Sequence, residues 1–409
     1  MTSRRSFLKA GAAGGLLAGA GRAARSDYRY SDIEARIARR DFRDLTKEDL
    51  GTPALILDEA IFEQNLRAIA EHSKATGLKV RPHVKIHKCQ EITKRQIALG
   101  AIGASCATIA ECELIINAGL HNVLWTCQPA GRNKISRTVA LARRDPTFMC
   151  VVDDPSIVEA LDEAAGTAGA KVNLVVDVYA GLTRQGCQPG ETALRLAQKV
   201  ASSKNLRLAG LMGYSGMASH TKGWEARKKR STDDLAGLME TADLCKKSGL
   251  PVGLLTGGST GTYNIDTETG LTELQCGSYI FMDTLYRAIG GKSNPDTYSD
   301  FGPALTVMTT IISNTRPNQA TIDAGNKAML RPTDEVKGRP EIKIENPGAE
   351  YGMLHWTDTD RDLKLGERVE LYPSNLDMSV NVYDRIYVGR GEAIVDVWPI
   401  MGRSGPPQR

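Results

Sequence analysis

With 409 residues the chain exceeds one minimal domain and suits a large domain joined to a smaller one. Hydrophobic residues make up 41% and charged residues 24%, so a sizeable core forms and general disorder is excluded. The formal net charge is +4, with both signs interspersed and no aromatic-basic tract, which argues against a nucleic-acid partner.

The first residues, Ser3-Arg4-Arg5-Ser6-Phe7-Leu8-Lys9, precede an Ala- and Gly-rich apolar stretch that ends in Ala18-Gly19-Ala20, an A-x-A cleavage candidate. The order of these parts resembles a twin-arginine export signal over residues 1–24. It implies a periplasmic protein carried out in folded form, with any cofactor already loaded. The apolar run is too short to cross a bilayer, so no membrane span is expected. A charged, amphipathic stretch follows, read as a helical arm over 25–51 packed outside the core.

From Thr52 onward short β-branched runs alternate with helical patterns, the signature of β-α units and a parallel sheet. Strands are expected at 78–85, 101–107, 122–128, 148–153, 172–179, 206–214, 252–257 and 272–281. Helices are expected at 89–99, 109–118, 156–165, 191–201 and 224–247. Eight such strands predict a (β/α)8 barrel over 52–300. Beyond Phe301 strand-like runs lack long helices, at 305–313, 319–323, 351–356, 368–372, 380–388 and 393–398, which predicts a β-rich domain over 301–409. The short run 54–57 before the barrel could pair with that domain. The eight cysteines show no C-x-x-C and mostly sit in apolar runs, so they read as buried free thiols.

Reactive groups of such a barrel gather at the carboxyl ends of its strands. The first strand leads into Arg81-Pro82-His83-Val84-Lys85-Ile86-His87-Lys88. A lysine backed by apolar walls can lose its proton and attack a carbonyl, although a basic loop is the commoner reading of such a run. After the seventh strand comes Thr256-Gly257-Gly258-Ser259-Thr260-Gly261-Thr262. Its glycines and hydroxyls suit a phosphate dianion, or simply a Gly-rich turn. Gly181-Leu182-Thr183-Arg184-Gln185-Gly186 follows the fifth strand, and Tyr214 and His220 follow the sixth. Histidine titrates near working pH and suits a general base.

Pro82-His83-Val84-Lys85-Ile86-His87-Lys88 resembles the PHxKxHK signature of the D-threonine aldolase and D-serine dehydratase family, relatives of alanine racemase that use pyridoxal 5′-phosphate (PLP). The likeness runs from Thr52 to Pro399 and includes stretches similar to the family's TGGGTGT, GSYxFMD and GxNRxG segments. It implies that Lys85 carries PLP covalently. Thr256, Gly257, Gly258, Ser259 and Thr260 would bind its phosphate, and Gly277, Ser278 and Tyr279 would close its other side. Arg184 would face the phenolic oxygen and hold a substrate carboxylate. Tyr214 would lie near the pyridine nitrogen, and His220 would be the base for the substrate hydroxyl. The family's Y-x-G-H reads Tyr214-Ser215-Gly216-Met217 here, so the nearer histidine is missing.

The family's metal segment, P-x-H-x-[CD], reads Pro373-Ser374-Asn375-Leu376-Asp377. Asn375 and Asp377 offer oxygen donors, which favour Mg, Ca or Mn over Zn; alternatively the site holds no metal. Ala349-Glu350-Tyr351-Gly352 likewise departs from the family's EEHG. The resemblance implies a homodimeric, PLP-dependent lyase that splits a small β-hydroxy-D-amino acid into glycine and an aldehyde. Alternatives are β-elimination, racemisation and, from another class, a non-catalytic PLP-binding protein; the β-rich domain favours catalysis.

Overall fold

A computed structural model describes residues 29–329, 335–345, 348–357 and 363–403; the candidate export signal lies outside them. The chain divides at Asp41 into two units. In the first, helix α1 (Tyr30–Ala38) buries Ile33. The second begins with a segment whose Leu45 and Leu50 are buried, whose Thr46 bridges Ala393 and whose Lys47 amide donates to the Glu392 carbonyl at 2.9 Å. These residues were expected in an outer arm. Their two leucines instead enter the core around the Thr46–Asp49 capping box.

Next come β1 (Ala54–Asp58) and α2 (Glu59–Thr76). Asp58 caps α2 by accepting the Ile61 amide, and Gly77 closes it at φ 77°, a left-handed conformation that favours glycine. The barrel follows as β2 (Lys79–Val80), α3 (Gln90–Ala98), β3 (Ala104–Cys106), α4 (Ile109–Asn117), β4 (Val123–Trp125), α5 (Arg132–Arg144), β5 (Met149–Val152) and α6 (Pro155–Thr167). It continues with β6 (Val172–Asp177), α7 (Glu191–Ser202), β7 (Leu206–Gly213), α8 (Trp224–Lys247), β8 (Leu254–Gly257), β9 (Glu273–Leu274) and the short α9 (Thr284–Arg287). The strand order is β2-β9-β8-β7-β6-β5-β4-β3, all parallel. A parallel bridge between His83 and Ser105 brings the ends together and closes the (β/α)8 barrel. Near-continuous apolar strands such as Val172–Asp177 match burial on both faces.

The sequence leads one to expect extended chain over 78–85 and 272–281, yet only two residues of each run pair as strand. Pro82 brings no N–H to a ladder. The His83 ring then accepts the Lys85 amide and starts a single 3-10 turn, Val84–Ile86. Ser278–Ile280 forms another such turn.

The second sheet is built from β10 (Leu305–Arg316), β11 (Gln319–Ile322), β12 (Lys343–Glu345), β13 (Gly352–His355), β14 (Arg368–Leu371), β15 (Arg385–Arg390) and β16 (Ala393–Pro399), with α10 (Leu376–Val380) between β14 and β15. Its order is β12-β13-β11-β10-β1-β15-β16, with β14 also on β10. Thus β1, which precedes the barrel, lies antiparallel to β10 and parallel to β15. A strand was expected from 380; Asn375 instead caps α10, and the strand starts at Arg385. Phe62 of α2 joins barrel and sheet through Phe281 and Trp398, with ring centroids 6.4 and 5.6 Å away. Among the described residues no helix is long and apolar enough to cross a membrane.

Candidate active site

A cavity of about 260 Å³ opens at the carboxyl ends of the barrel strands, lined among others by Lys85, Arg184, Tyr214, Gly258, Ser259, Thr260, Gly277 and Ser278. The barrel therefore gathers eight of the residues expected from the sequence, which lie up to two hundred positions apart.

Lys85 sits in the middle of the 3-10 turn. Its Nζ lies 3.1 Å from Asp377 Oδ2. Burial pulls the amine's pKa down, but the Asp377 charge and hydrogen bond outweigh it, and the net shift is upward. His83 lies just before it, also on the cavity wall. Its Nδ1 accepts the Lys85 amide at 3.4 Å, so the ring proton belongs on Nε2, 3.3 Å from Thr126 Oγ1. The Thr126 hydroxyl in turn donates to the Cys106 carbonyl at 3.0 Å. Burial, then the nearby Lys85 charge, hold the His83 pKa well below its ordinary value, so the ring is neutral.

The glycine-rich loop after β8 presents Gly258, Ser259 and Thr260 to the cavity. Gly258 has φ 72°, and a Cβ there would lie 2.7 Å from Leu274 Cδ2. The loop is held from its carbonyl side: the Tyr298 hydroxyl donates to the Thr260 carbonyl at 2.6 Å, and Arg227 Nε donates to the Gly261 carbonyl at 2.8 Å. Opposite it Gly277 lets two turns meet closely, since a Cβ would come within 2.7 Å of Ile86 Cγ1.

The Arg184 loop is tied down by Gln185, which donates to the Thr126 carbonyl and to Asp177 Oδ2 at 2.9 and 2.8 Å. The Gly186 amide donates to Asp153 Oδ2 at 2.9 Å. Burial, with Asp153 nearby, pushes the Asp177 carboxyl up to about 7. The Arg184 guanidinium stands over the Tyr214 ring, 5.8 Å from its centre.

Six of the expected residues do not line the cavity. Thr256 and Gly257 form the buried end of β8 beneath it, where Thr256 Oγ1 accepts Gln275 Nε2 at 2.8 Å. The Tyr279 amide supports Thr260 Oγ1 at 3.0 Å, but its ring turns into the core, where its hydroxyl accepts Gln96 Nε2 at 3.0 Å. His220 stacks on Tyr286, a lining residue, with centroids 4.4 Å apart. Partial enclosure and the Lys85 charge lower its pKa, against the pull of Asp377. Asn375 Oδ1 accepts the Met378 amide at 3.1 Å as the α10 cap, and Asp377 is the counter-ion of Lys85. The expectation of a metal rests on these last two. Among the described residues no group of three or more His, Cys, Asp or Glu side chains converges on one point. One amide spent as a cap and one carboxylate paired with an ammonium do not fit a resident dication.

Sequence reading missed the strand-end residues Thr126, Met212 and Gln275, together with Cys127, Gln185 and Tyr286, all on the wall. The rule that barrel strand ends face the site would have flagged the first three. The cavity does fit PLP: an amine on one wall, a glycine cradle of hydroxyls and backbone on another, and a guanidinium beside a phenol between them.

The chain matches the model of the alanine racemase N-terminal domain over residues 57–285 and a serine dehydratase domain model over 304–389. It is 32% identical to 3-hydroxy-D-aspartate aldolase of Paracoccus denitrificans, over 88% of this chain and 94% of that protein. It is also 32% identical to D-threonine aldolase of an Arthrobacter species, over 86% and 93%. The crystal structure of D-threonine aldolase from Filomicrobium marinum superposes with a TM-score of 0.82 at 34% identity, over 87% of this chain and 96% of that one. With the barrel model spanning more than half of its length and relatives alike over most of the chain, the chain belongs to the D-threonine aldolase and D-serine dehydratase family of the alanine racemase fold.

Proposed function

We propose that this protein is a PLP-dependent lyase that cleaves a β-hydroxy-D-amino acid to glycine and an aldehyde. One observation carries the reading: a lysine amine and a glycine-rich phosphate cradle share one cavity, in a chain alike over most of its length to two aldolases. Lys85 would hold the cofactor, with Gly258, Ser259, Thr260 and Ser278 around its phosphate and Arg184 and Tyr214 along its ring. When bound, PLP supplies an electron sink for the pair left on Cα as the Cα–Cβ bond breaks.

The remaining work falls to the chain's own groups. Arg184 offers a fixed cation to the substrate carboxylate. His220, neutral because its pKa is lowered, accepts the β-hydroxyl proton as the carbonyl of the departing aldehyde forms. A proton returned to Cα completes glycine. Asp377 balances the charge of the Lys85 amine while that amine is free of the cofactor.

The test is a panel assay on the PLP-loaded protein with D-threonine, D-3-hydroxyaspartate, D-serine and D-alanine. Glycine with an aldehyde is the expected product pair. Pyruvate or oxaloacetate would replace the reading by β-elimination, L-alanine by racemisation, and no turnover by the PLP-carrier class. We propose further that the protein is exported to the periplasm, on the strength of the Ser3-Arg4-Arg5 segment, and acts as a homodimer. Cell fractionation checks the first and sedimentation the second.

A further inference from the structure

The turn that carries Lys85 spans three residues, Val84–Ile86, too short to fix a side chain by its own hydrogen bonds. The amides of His87 and Lys88 both donate to the Val84 carbonyl, at 3.0 and 2.8 Å. The Lys85 carbonyl is taken by a side chain: Lys88 Nζ donates to it at 2.5 Å. The Lys88 backbone lies at φ 50°, a left-handed conformation that is costly for an L side chain and persists only where surroundings enforce it. In that conformation its carbonyl meets the amides of Met401 and Gly402, at 3.0 and 3.4 Å. A Cβ on Gly402 would stand 3.4 Å from the Lys88 Cβ and 3.3 Å from Glu111 Cγ. The segment that leaves β16 therefore packs directly against Lys88.

Lys88 is 7% exposed, and the carboxylates of Glu111 and Asp377 face its charge. It does not line the cavity. Its ammonium is committed to the turn, which leaves Lys85 as the lysine of this pair whose amine meets the cavity.

We propose that Lys88 is a positioning residue for Lys85: its ammonium clamps the Lys85 carbonyl while its own carbonyl anchors the turn to the segment after β16. This rests on Lys85 being the cofactor-bearing lysine. It adds a mechanical link, running from the second sheet through Met401 and Gly402 to the reactive amine.

The experiment compares cofactor-free full-length wild type with Lys88→Met, Lys88→Arg and Met401→Pro. PLP uptake is followed by its visible absorbance and mapped by borohydride reduction and peptide mass. Lys88→Met is expected to slow linkage to Lys85 by about tenfold or more and to lower kcat while KM stays within about twofold, as misplacement of a reacting group does. Lys88→Arg can still donate to the carbonyl and recovers most of the rate. Met401→Pro removes one amide donor at an exposed residue and shifts the rate in the same direction by less. A wild-type linkage rate in Lys88→Met overturns the clamp, as does a loss in Lys88→Arg equal to that in Lys88→Met. If Lys88→Met does not accumulate folded, Met401→Pro decides on the same terms. Hydrogen exchange over 84–88 in the cofactor-free proteins reads the clamp independently: faster exchange in Lys88→Met and Met401→Pro supports it, and unchanged exchange overturns it. Wild type that takes up no PLP defeats the functional reading alone, and the exchange result still decides the clamp.

Discussion

Behind the 258–262 loop, Thr262 Oγ1 accepts the Ser259 amide at 3.1 Å and donates to Asp266 Oδ2 at 2.5 Å, while Ser231 occupies Asp266 Oδ1 at 2.6 Å. The segment that brings Asp377 to Lys85 is made differently. It is a helix of five residues; within it one oxygen of Asp377 and the Ser379 hydroxyl, and just after it polar atoms of Asn381 and Tyr383, are buried with no partner among the described residues. The cradle is over-determined in the way a site for one invariant group should be. The α10 side is held by few bonds, and unsatisfied buried polar atoms mark where a structure is tuned for something other than stability. The difference fits an invariant cofactor phosphate at the β8 loop and a part of the ligand that varies on the α10 side.

The comparison breaks at its base if Lys85 is not the reactive amine. Lys85→Ala should cost at least about a thousandfold in kcat/KM, with the circular dichroism spectrum unchanged. Aldehyde release measured under saturating PLP checks this. His220→Asn comes next, at about a hundredfold. A base must be neutral, so wild-type kcat/KM should fall as pH drops through the His220 pKa. Burial and the Lys85 charge place that pKa under the ordinary 6.5. The acid limb should therefore lie below pH 6.5 and vanish in His220→Asn; a limb that survives the substitution belongs to another group.

Gly258→Ala probes the cradle directly. The new Cβ would meet Leu274 Cδ2 and Asp266 Oδ2 at 2.7 and 2.8 Å, at a φ of 72°. Strain of about 1–3 kcal/mol corresponds to a PLP Kd raised about five- to a hundred-and-fiftyfold. Asp377→Ala removes a pair whose side chains are 36% and 39% exposed and should change Kd by less than about fivefold, since exposed pairs contribute little. Equilibrium titration with PLP compares the two. Similar losses would mean that both sides hold the cofactor, and the contrast would fail.

How much of this was legible in the chain follows the same divide. Lys85 and residues 258–260 are contiguous motifs whose chemistry survives any error in strand ends. Tyr279 was misplaced because a glycine-flanked turn gives no clue to which side of the backbone faces in. Its ring left the cavity for the core, where its hydroxyl accepts Gln96 Nε2. Thr126 and Gln275 belong to strands far apart in sequence and share the cavity only because the barrel closes. The pairing of Asp377 with Lys85 spans nearly three hundred positions between barrel and second sheet, and no local pattern encodes it. Asn375 was expected as a ligand, but asparagine also favours helix caps, and only the position of the Met378 amide shows which role it takes.

The smallest expected effect tests that last residue. A dication at Asp377 would sit beside the Lys85 ammonium, 3.1 Å from the one committed oxygen, with the Lys88 charge also facing that carboxylate, and Asn375 Oδ1 is engaged by Met378. Like charges at such range oppose binding more strongly than one carboxylate favours it. Dialysis against EDTA should therefore change kcat/KM by less than about twofold, and elemental analysis should find no stoichiometric Mg, Mn or Zn. Asn375→His restores an imidazole beside the carboxylate while removing the cap, at about 1 kcal/mol of stability. It should lower Tm by about one degree, as that loss predicts for a chain of this length, and gain measurable Mn or Zn affinity by calorimetry. An EDTA-sensitive native enzyme rescued by Mn would show instead that Asp377 leaves Lys85 to serve a metal, and the α10 side would then be as determined as the cradle.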